Sequence, residues 1–201
     1  MTVNGADDGR APRPRVTAAF FDDLYEREED PWGFASRAYE REKYDHTLSL
    51  IGSRRFERAL EIGCSIGVFT ERLAPLCDEL VAIDVSERAL ERARRRLRDQ
   101  AHVTFTAMTF PEEMAPGPWD LVACCEVLYY LDPPAFALAL DRLRDAVASG
   151  ATLLAVHWRA PTETYPLRGD EVHDALVAEL GRWHVLDDRR EPYRLDGFEG
   201  P

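Results

Sequence analysis

The chain has only one lysine, Lys43, among its 25 basic residues. Chemistry that needs a lysine Schiff base or an ammonium group therefore has one candidate position. Positive charge is scarce overall. Asp and Glu number 37, giving a net charge of −12 at pH 7. Such a surface repels a phosphate backbone, so nucleic acid is not expected as a partner. No stretch approaches the roughly 18 apolar residues of a transmembrane helix, so a membrane is not expected either. Cysteines are few. Cys64, Cys77, Cys124 and Cys125 include no C-x-x-C and no pair at zinc-ligand spacing, so no metal is expected. Cys124 and Cys125 lie in an apolar run and read as small core residues. The opening MTVNGADDGRAPRPR has no apolar segment of a secretory signal. Together these features point to a reducing, cytoplasmic setting.

At 201 residues the chain suits one domain with a core that needs no disulfide or metal. Residues 1–15 read as a disordered arm, and 16–201 as a single domain. Ala19, Phe20, Phe21 and Leu24 form one face of a short helix. Asp30-Pro31-Trp32-Gly33 breaks it, and 34–50 reads as a second helix ended by Gly52. From there short apolar runs alternate with helical patterns. Strands are expected over 58–63, 80–84, 102–107, 119–125 and 151–158, with two last strands over 183–188 and 192–195. Helices are expected over 68–76, from a Ser86 cap to about 98, from Pro133 to about 148, and over 170–180. Strands of this kind, alternating with helices, imply a parallel sheet covered on both faces. Arg92, Arg94, Arg95, Arg96 and Arg98 read as the solvated face of one helix.

The segment Glu61-Ile62-Gly63-Cys64-Ser65-Ile66-Gly67 follows the first strand and opens a helix. Ligands of open parallel sheets bind at such strand ends, where glycine lets the backbone approach them. Asp84 ends the second strand, where a carboxylate suits two ribose hydroxyls. The pair signals a ribonucleoside-containing ligand. Ser65 stands at the second glycine position of G-x-G-x-x-G and no third glycine follows, which disfavours a dinucleotide. Gly63-Cys64-Ser65-Ile66-Gly67 also matches the G-x-S-x-G elbow of a serine hydrolase. That fold, however, places several strands and an oxyanion loop ahead of its nucleophile.

Glu61-x-Gly-x-x-x-Gly67 with Asp84 resembles the first motifs of class I S-adenosyl-L-methionine (SAM) dependent methyltransferases, with Ser65 where glycine is more common. Trp119-Asp120-Leu121-Val122, Glu126-Val127-Leu128-Tyr129-Tyr130-Leu131 and Gly150-Ala151-Thr152-Leu153-Leu154 are similar to that family too. A closer resemblance is to NodS-like methyltransferases. It is carried by Phe21-Asp22-x-Leu24-Tyr25, Asp30-Pro31-Trp32, Ser36, Tyr39, Glu40, Lys43 and Tyr44 at one end. At the other end it is carried by His157-Trp158-Arg159, Tyr165-Pro166-Leu167, Gly169-Asp170-Glu171-Val172-His173 and Tyr193-Arg194-Leu195-Asp196. The resemblance covers nearly everything from Val16 on. It implies a Rossmann-like α/β fold, with a mostly parallel seven-stranded sheet, helices on both faces and an N-terminal helical cap. The cap is expected over 16–52 and the core over 53–201.

By that resemblance the cofactor is SAM, leaving S-adenosyl-L-homocysteine (SAH), with no metal. Glu61, Gly63, Cys64 and Gly67 are expected along its methionine part, and Asp84 and Val85 at the ribose. Met108 and Thr109 are expected at the adenine, Glu126 near the sulfonium, and Tyr44 and Trp32 in the closing cap. Each has a plainer alternative: a tight turn for Glu61 and the glycines, core packing for Met108 and Tyr44, a surface turn for Glu126. His157, at the end of the fifth strand, is the candidate general base, against the alternative of a satisfied half-buried histidine. Tyr130, Trp158, Asp170 and His173 are candidates for the acceptor, although Asp170 reads first as a helix N-cap and Tyr130 as core. The expected reaction is in-line methyl transfer to a small polar acceptor, an amine or amino sugar. O-methylation, a non-catalytic SAM-binding module and the hydrolase stay as alternatives. The expected assembly is a monomer or weak dimer.

Overall fold

The computed structural model describes residues 13–114 and 116–201. Most of the arm expected at 1–15 lies outside them. Its last part is fastened: Arg13 Nη1 donates to the carbonyls of Thr162 and Tyr165, both at 3.2 Å, and Arg15 reaches Glu112 at 2.7 Å and the Phe110 carbonyl.

The chain opens with two helices, α1 (Ala18–Arg27) and α2 (Ala38–Ile51). Thr17 caps α1 through its hydroxyl, and Gly52 at φ +62° ends α2. The second helix starts later than the apolar pattern suggests. The Asp30 carboxylate accepts from the backbone N–H groups of Phe34 (2.7 Å) and Ala35 (2.9 Å), which holds a turn there instead.

The core then alternates β1 (Phe56–Ile62), α3 (Val68–Leu73), β2 (Cys77–Asp84), α4 (Glu87–Arg96), β3 (Val103–Ala107) and β4 (Leu121–Cys125). It continues with α5 (Pro133–Ala148), β5 (Thr152–Trp158), α6 (Gly169–Leu180), β6 (His184–Arg189) and β7 (Tyr193–Glu199). The strand order is β3-β2-β1-β4-β5-β7-β6, parallel except that β7 runs antiparallel to both neighbours. This is the expected seven-stranded, Rossmann-like sheet. β4 and β5 are buried on both faces, which is why they read as near-continuous apolar runs without alternation, and β1 is buried from Ala59 to Ile62.

Several boundaries follow from local chemistry. Ser86 accepts from Ala89 N–H and starts α4 as expected. Asp132 caps α5, with Pro133 in its first turn, where a missing N–H costs nothing. Two readings need correction. β7 extends from Tyr193 to Glu199 because it pairs with β5 from Thr152↔Glu199 to Trp158↔Tyr193; Asp196 and Gly197 had masked it in the sequence. The arginines of α4 do more than face solvent. Arg92 Nη1 reaches the carbonyls of Glu28 and Glu29, both at 3.0 Å, and Arg96 Nε reaches that of Ile66 at 3.0 Å. These bonds tie α4 to the cap and to the turn after β1.

One face of the sheet packs on α5 and α6, through Phe136, Leu140, Leu143, Val172, Leu176 and Leu180. The other packs on the cap and α3, through Tyr25, Tyr44, Phe69 and Leu73. β2 and β4 flank β1 on opposite sides, so the strand order reverses there and a crevice opens at the carboxyl ends of these strands.

Candidate functional site

A cavity of about 270 Å³ occupies that crevice, beneath the cap. The turn after β1 forms its floor. Gly63 (φ +77°) and Gly67 (φ +79°) hold the left-handed conformation that glycine accepts without strain. Ser65 (φ +51°) adopts it too, and its N–H donates to Asp84 Oδ2 at 2.8 Å. Ser86 N–H donates to Asp84 Oδ1 at 2.9 Å. Asp84 is thus aimed at the cavity by one backbone N–H on each oxygen, with lone pairs to spare. Burial raises its pKa, and the Ser86 and Ser65 N–H groups oppose that rise.

Glu61 is buried in the cavity wall, and its Oε2 has no hydrogen-bond partner. Burial pushes its carboxyl up to about 8. A carboxyl left this way is poised for a cation, which would supply the missing partner and restore its charge.

The cavity also receives Cys64, Val85, Met108, Thr109, Glu126, Tyr130, Trp32 and Tyr44 from the expected set. Residues that the patterns missed stand with them. Phe21, Tyr25 and Phe34 come from the cap, Phe110 from the segment after β3, and Arg15 to Ala18 from the approach to α1. Phe21 and Tyr25 recur at the four-residue spacing that marks the inner face of α1. Arg15 carries no such signal.

Gly67 does not line the cavity. It faces α4, where a methyl group in place of its hydrogen would meet Ala93 and Leu97 at 3.0 Å. Glu126 (φ +56°) lines the cavity, but its oxygens are taken. Oε1 accepts from Lys43 Nζ at 2.5 Å, and Oε2 accepts from Tyr129 OH (2.7 Å) and Trp158 N–H (2.8 Å). Lys43 also pairs with Glu40 at 2.8 Å. Burial works against the Lys43 charge, but the two carboxylates outweigh it and raise its pKa. The chain's one lysine therefore joins the cap to the loop after β4.

Of the expected acceptor and base residues only Tyr130 lines the cavity; the others lie elsewhere. His157 is fully buried and outside the cavity. Its Nε2 accepts from Leu128 N–H at 3.2 Å, and its Nδ1 meets His173 Nε2 at 3.1 Å. Burial, then His173 and Lys43, hold its pKa well below the ordinary range. With both nitrogens engaged it has no lone pair for a substrate proton, which corrects the general-base expectation. His173 is buried with it. Trp158 packs edge-on against Tyr39, with ring centres 5.5 Å apart. Asp170 binds the Arg159 guanidinium at 2.9 and 3.2 Å rather than capping α6; Arg168 holds the cap position, and its N–H donates to Glu171.

The hydrolase alternative fails on geometry. The partner of Ser65 Oγ is Tyr25 OH at 2.5 Å, so no histidine activates it. Among the described residues, no group of three or more His, Cys, Asp or Glu side chains is placed to hold a metal ion. Nor is any helix among them long and apolar enough to cross a membrane.

The sequence profile of nodulation protein S (NodS) matches residues 18–159. The chain belongs to the NodS family. Nodulation protein S of Sinorhizobium fredii is 36% identical over 128 residues, which is 63% of this chain and 56% of that protein. The chain thus matches little more than half the length of this curated relative. The crystal structure of the N-methyltransferase NodS from Bradyrhizobium japonicum, in complex with SAH, is similar at 27% identity and a TM-score of 0.74. It covers 90% of this chain and 98% of that one. A putative methyltransferase from Pseudomonas syringae is 32% identical, with a TM-score of 0.69, over 81% of this chain and 99% of its own. The NodS profile ends at Arg159, so α6, β6 and β7 lie beyond the matched region.

Proposed function

We propose that this chain is a SAM-dependent methyltransferase acting on the amine of a small polar acceptor. The observation that carries the reading is the pair of carboxyl groups in one cavity, Glu61 with an unpartnered oxygen and Asp84 held by two backbone N–H groups. An ammonium and a vicinal diol, as in the methionine and ribose parts of SAM, complement that pair. The NodS structure with SAH, similar over nearly the whole chain, supports the same reading.

In this reading Glu61 holds the amino group and Asp84 the ribose hydroxyls. Gly63 and Cys64 offer backbone beside the methionine part, and Val85, Met108, Thr109 and Phe110 flank the adenine. SAM supplies an electrophilic methyl carbon, so the protein's contribution is chiefly alignment for an in-line displacement. The cap, 16–52, closes the cavity over the core, 53–201, with Trp32 and Tyr44 in its roof.

The side chains favour nitrogen over oxygen as acceptor. An alcohol must lose a proton during attack and needs a base. An amine bound in its neutral form already presents a lone pair. His157 is engaged at both nitrogens, and Glu126 is held by Lys43, Tyr129 and Trp158. The methylated product then releases its proton to water. An amino sugar or other small polar amine fits an acidic protein with this cavity. Four free cysteines fit a reducing cytoplasm.

Calorimetric titration with SAM and SAH tests the reading. Micromolar binding to the wild type, lost in Asp84→Ala, is the expected result, followed by methyl transfer to amines in a radiolabel screen. No binding by the folded wild type would overturn it.

A further inference from the structure

A buried chain of side chains runs behind the cavity from the sheet's antiparallel edge to the loop after β4. Leu128 N–H donates to His157 Nε2, so that nitrogen carries no hydrogen. His157 then carries its hydrogen on Nδ1, which donates to His173 Nε2 at 3.1 Å. His173 in turn donates from Nδ1 to Asp196 Oδ2 at 2.5 Å. Asp196 is braced further by His184 Nε2 at 2.6 Å and Arg194 Nε at 2.9 Å. Every donor direction is settled by the one before it. His157, His173, Arg194 and Asp196 are all fully buried.

The end of this chain is a backbone N–H, not a substrate. Leu128 lies in the loop that supplies Glu126, Val127 and Tyr130 to the cavity wall. Val127 closes on the β1 turn so tightly that a methyl group at Gly63 would sit 2.9 Å from its side chain. Lys43 grips the same loop from the cap side through Glu126. Glu126 at φ +56° is a conformation that surrounding structure must hold in place. α6 presses on the end of β5 closely enough that a methyl group at Gly169 would overlap the Trp158 carbonyl oxygen. That contact keeps His173 in register with His157.

We propose that His157, directed by His173 and Asp196, is a positioning residue that holds the 126–130 loop against the β1 turn through Leu128 N–H, and so sets the shape of the SAM cavity. This inference rests on the methyltransferase reading. It gives the buried histidines, read from the sequence as general base (His157) and acceptor contact (His173), a different task. It also brings β7, beyond the profile match, into the site. Burial keeps His157 neutral, the state in which Nε2 can accept.

Two conservative variants separate the alternatives. The terminal oxygen of glutamine reaches as far along the side chain as His Nε2, so His157→Gln keeps an acceptor for Leu128 N–H. Asparagine reaches only as far as Nδ1, so His157→Asn keeps the link to His173 and loses the one to Leu128. SAH affinity by calorimetry and hydrogen exchange of the 126–131 peptide are measured for both, with thermal melting as the check of folding. The expected result is affinity within about threefold of wild type for His157→Gln, with protection retained. For His157→Asn it is about tenfold weaker binding and about tenfold faster exchange. The reverse order would assign His157 to the His173 contact alone and overturn the proposal. Wild-type affinity and protection in both variants would overturn it as well. If wild-type protein bound no SAH, the methyltransferase reading would fail, while exchange at 126–131 would still decide this one.

Discussion

The carboxyl edges of β1 and β2 and those of β4 and β5 carry the same kinds of residue and use them differently. At the first edge, Glu61 keeps an oxygen without a partner, and Asp84 is held by two N–H groups while still facing the cavity. At the second, Glu126 and His157 direct their polar atoms into protein: to Lys43, Tyr129 and Trp158, and to Leu128 and His173. An ionisable residue at a strand end is a candidate for ligand chemistry only while it has a free lone pair or charge. The first edge retains that capacity, and the second holds a wall in shape.

Removing the grip on the second edge should have the largest effect. Lys43→Met leaves Glu126 and Glu40 buried without their counter-charge, a loss of about 3–5 kcal/mol of stability for a broken buried pair. Urea unfolding would measure it, and adding Glu126→Gln should recover part of the loss. Gly63→Ala attacks the contact between the edges. Its φ of +77° and the 2.9 Å approach to Val127 together cost about 2–4 kcal/mol. SAH binding should fall with it, whereas Gly67→Ala should disturb α4 packing first.

At the first edge, if Asp84 holds the ribose as proposed, Asp84→Ala should cost about 2–3 kcal/mol or roughly 100-fold in SAH affinity. Fold stability should change less than in Lys43→Met. Glu61 provides a pH test. Its carboxyl is raised from 4.5 to about 8, so the folded protein holds a proton that the unfolded chain releases. The stability tied to the neutral form is therefore complete below about 4.5 and lost as pH rises through about 8. Without ligand, Glu61→Gln should match wild type near pH 4.5 and melt a few degrees higher at pH 8, yet bind SAH more weakly. A constant difference across that range would show that Glu61 does not titrate there. Ser65→Ala should matter least: the Tyr25 hydrogen bond is worth about 1 kcal/mol, and SAH binding should persist.

The division between the edges also explains what was legible in the sequence. The sheet was, because β4 and β5 are buried on both faces and their residues show it without context. The Gly63 turn and Asp84 were, because a left-handed turn and a strand-end carboxylate are local requirements met by local residues. The direction of Glu126 and His157 was not. Their partners lie far along the chain, Lys43 83 residues from Glu126 and Leu128 29 residues from His157. No spacing rule reports whether such a partner exists. Arg15 escaped notice for the same reason, since only the folded chain brings it to Phe110 and Glu112. Asp170 looked like a cap because its sequence neighbours allow one, but the Arg159 guanidinium competes for it and wins.

The two edges differ most in whether their side chains are free to hold a ligand. Calorimetric titration of SAH into wild type, Asp84→Ala and His157→Gln, under one set of conditions, tests that directly. The expected result is tight binding by wild type, near-wild-type binding by His157→Gln and about a hundredfold loss in Asp84→Ala. Loss of binding in His157→Gln with Asp84→Ala unaffected would contradict it.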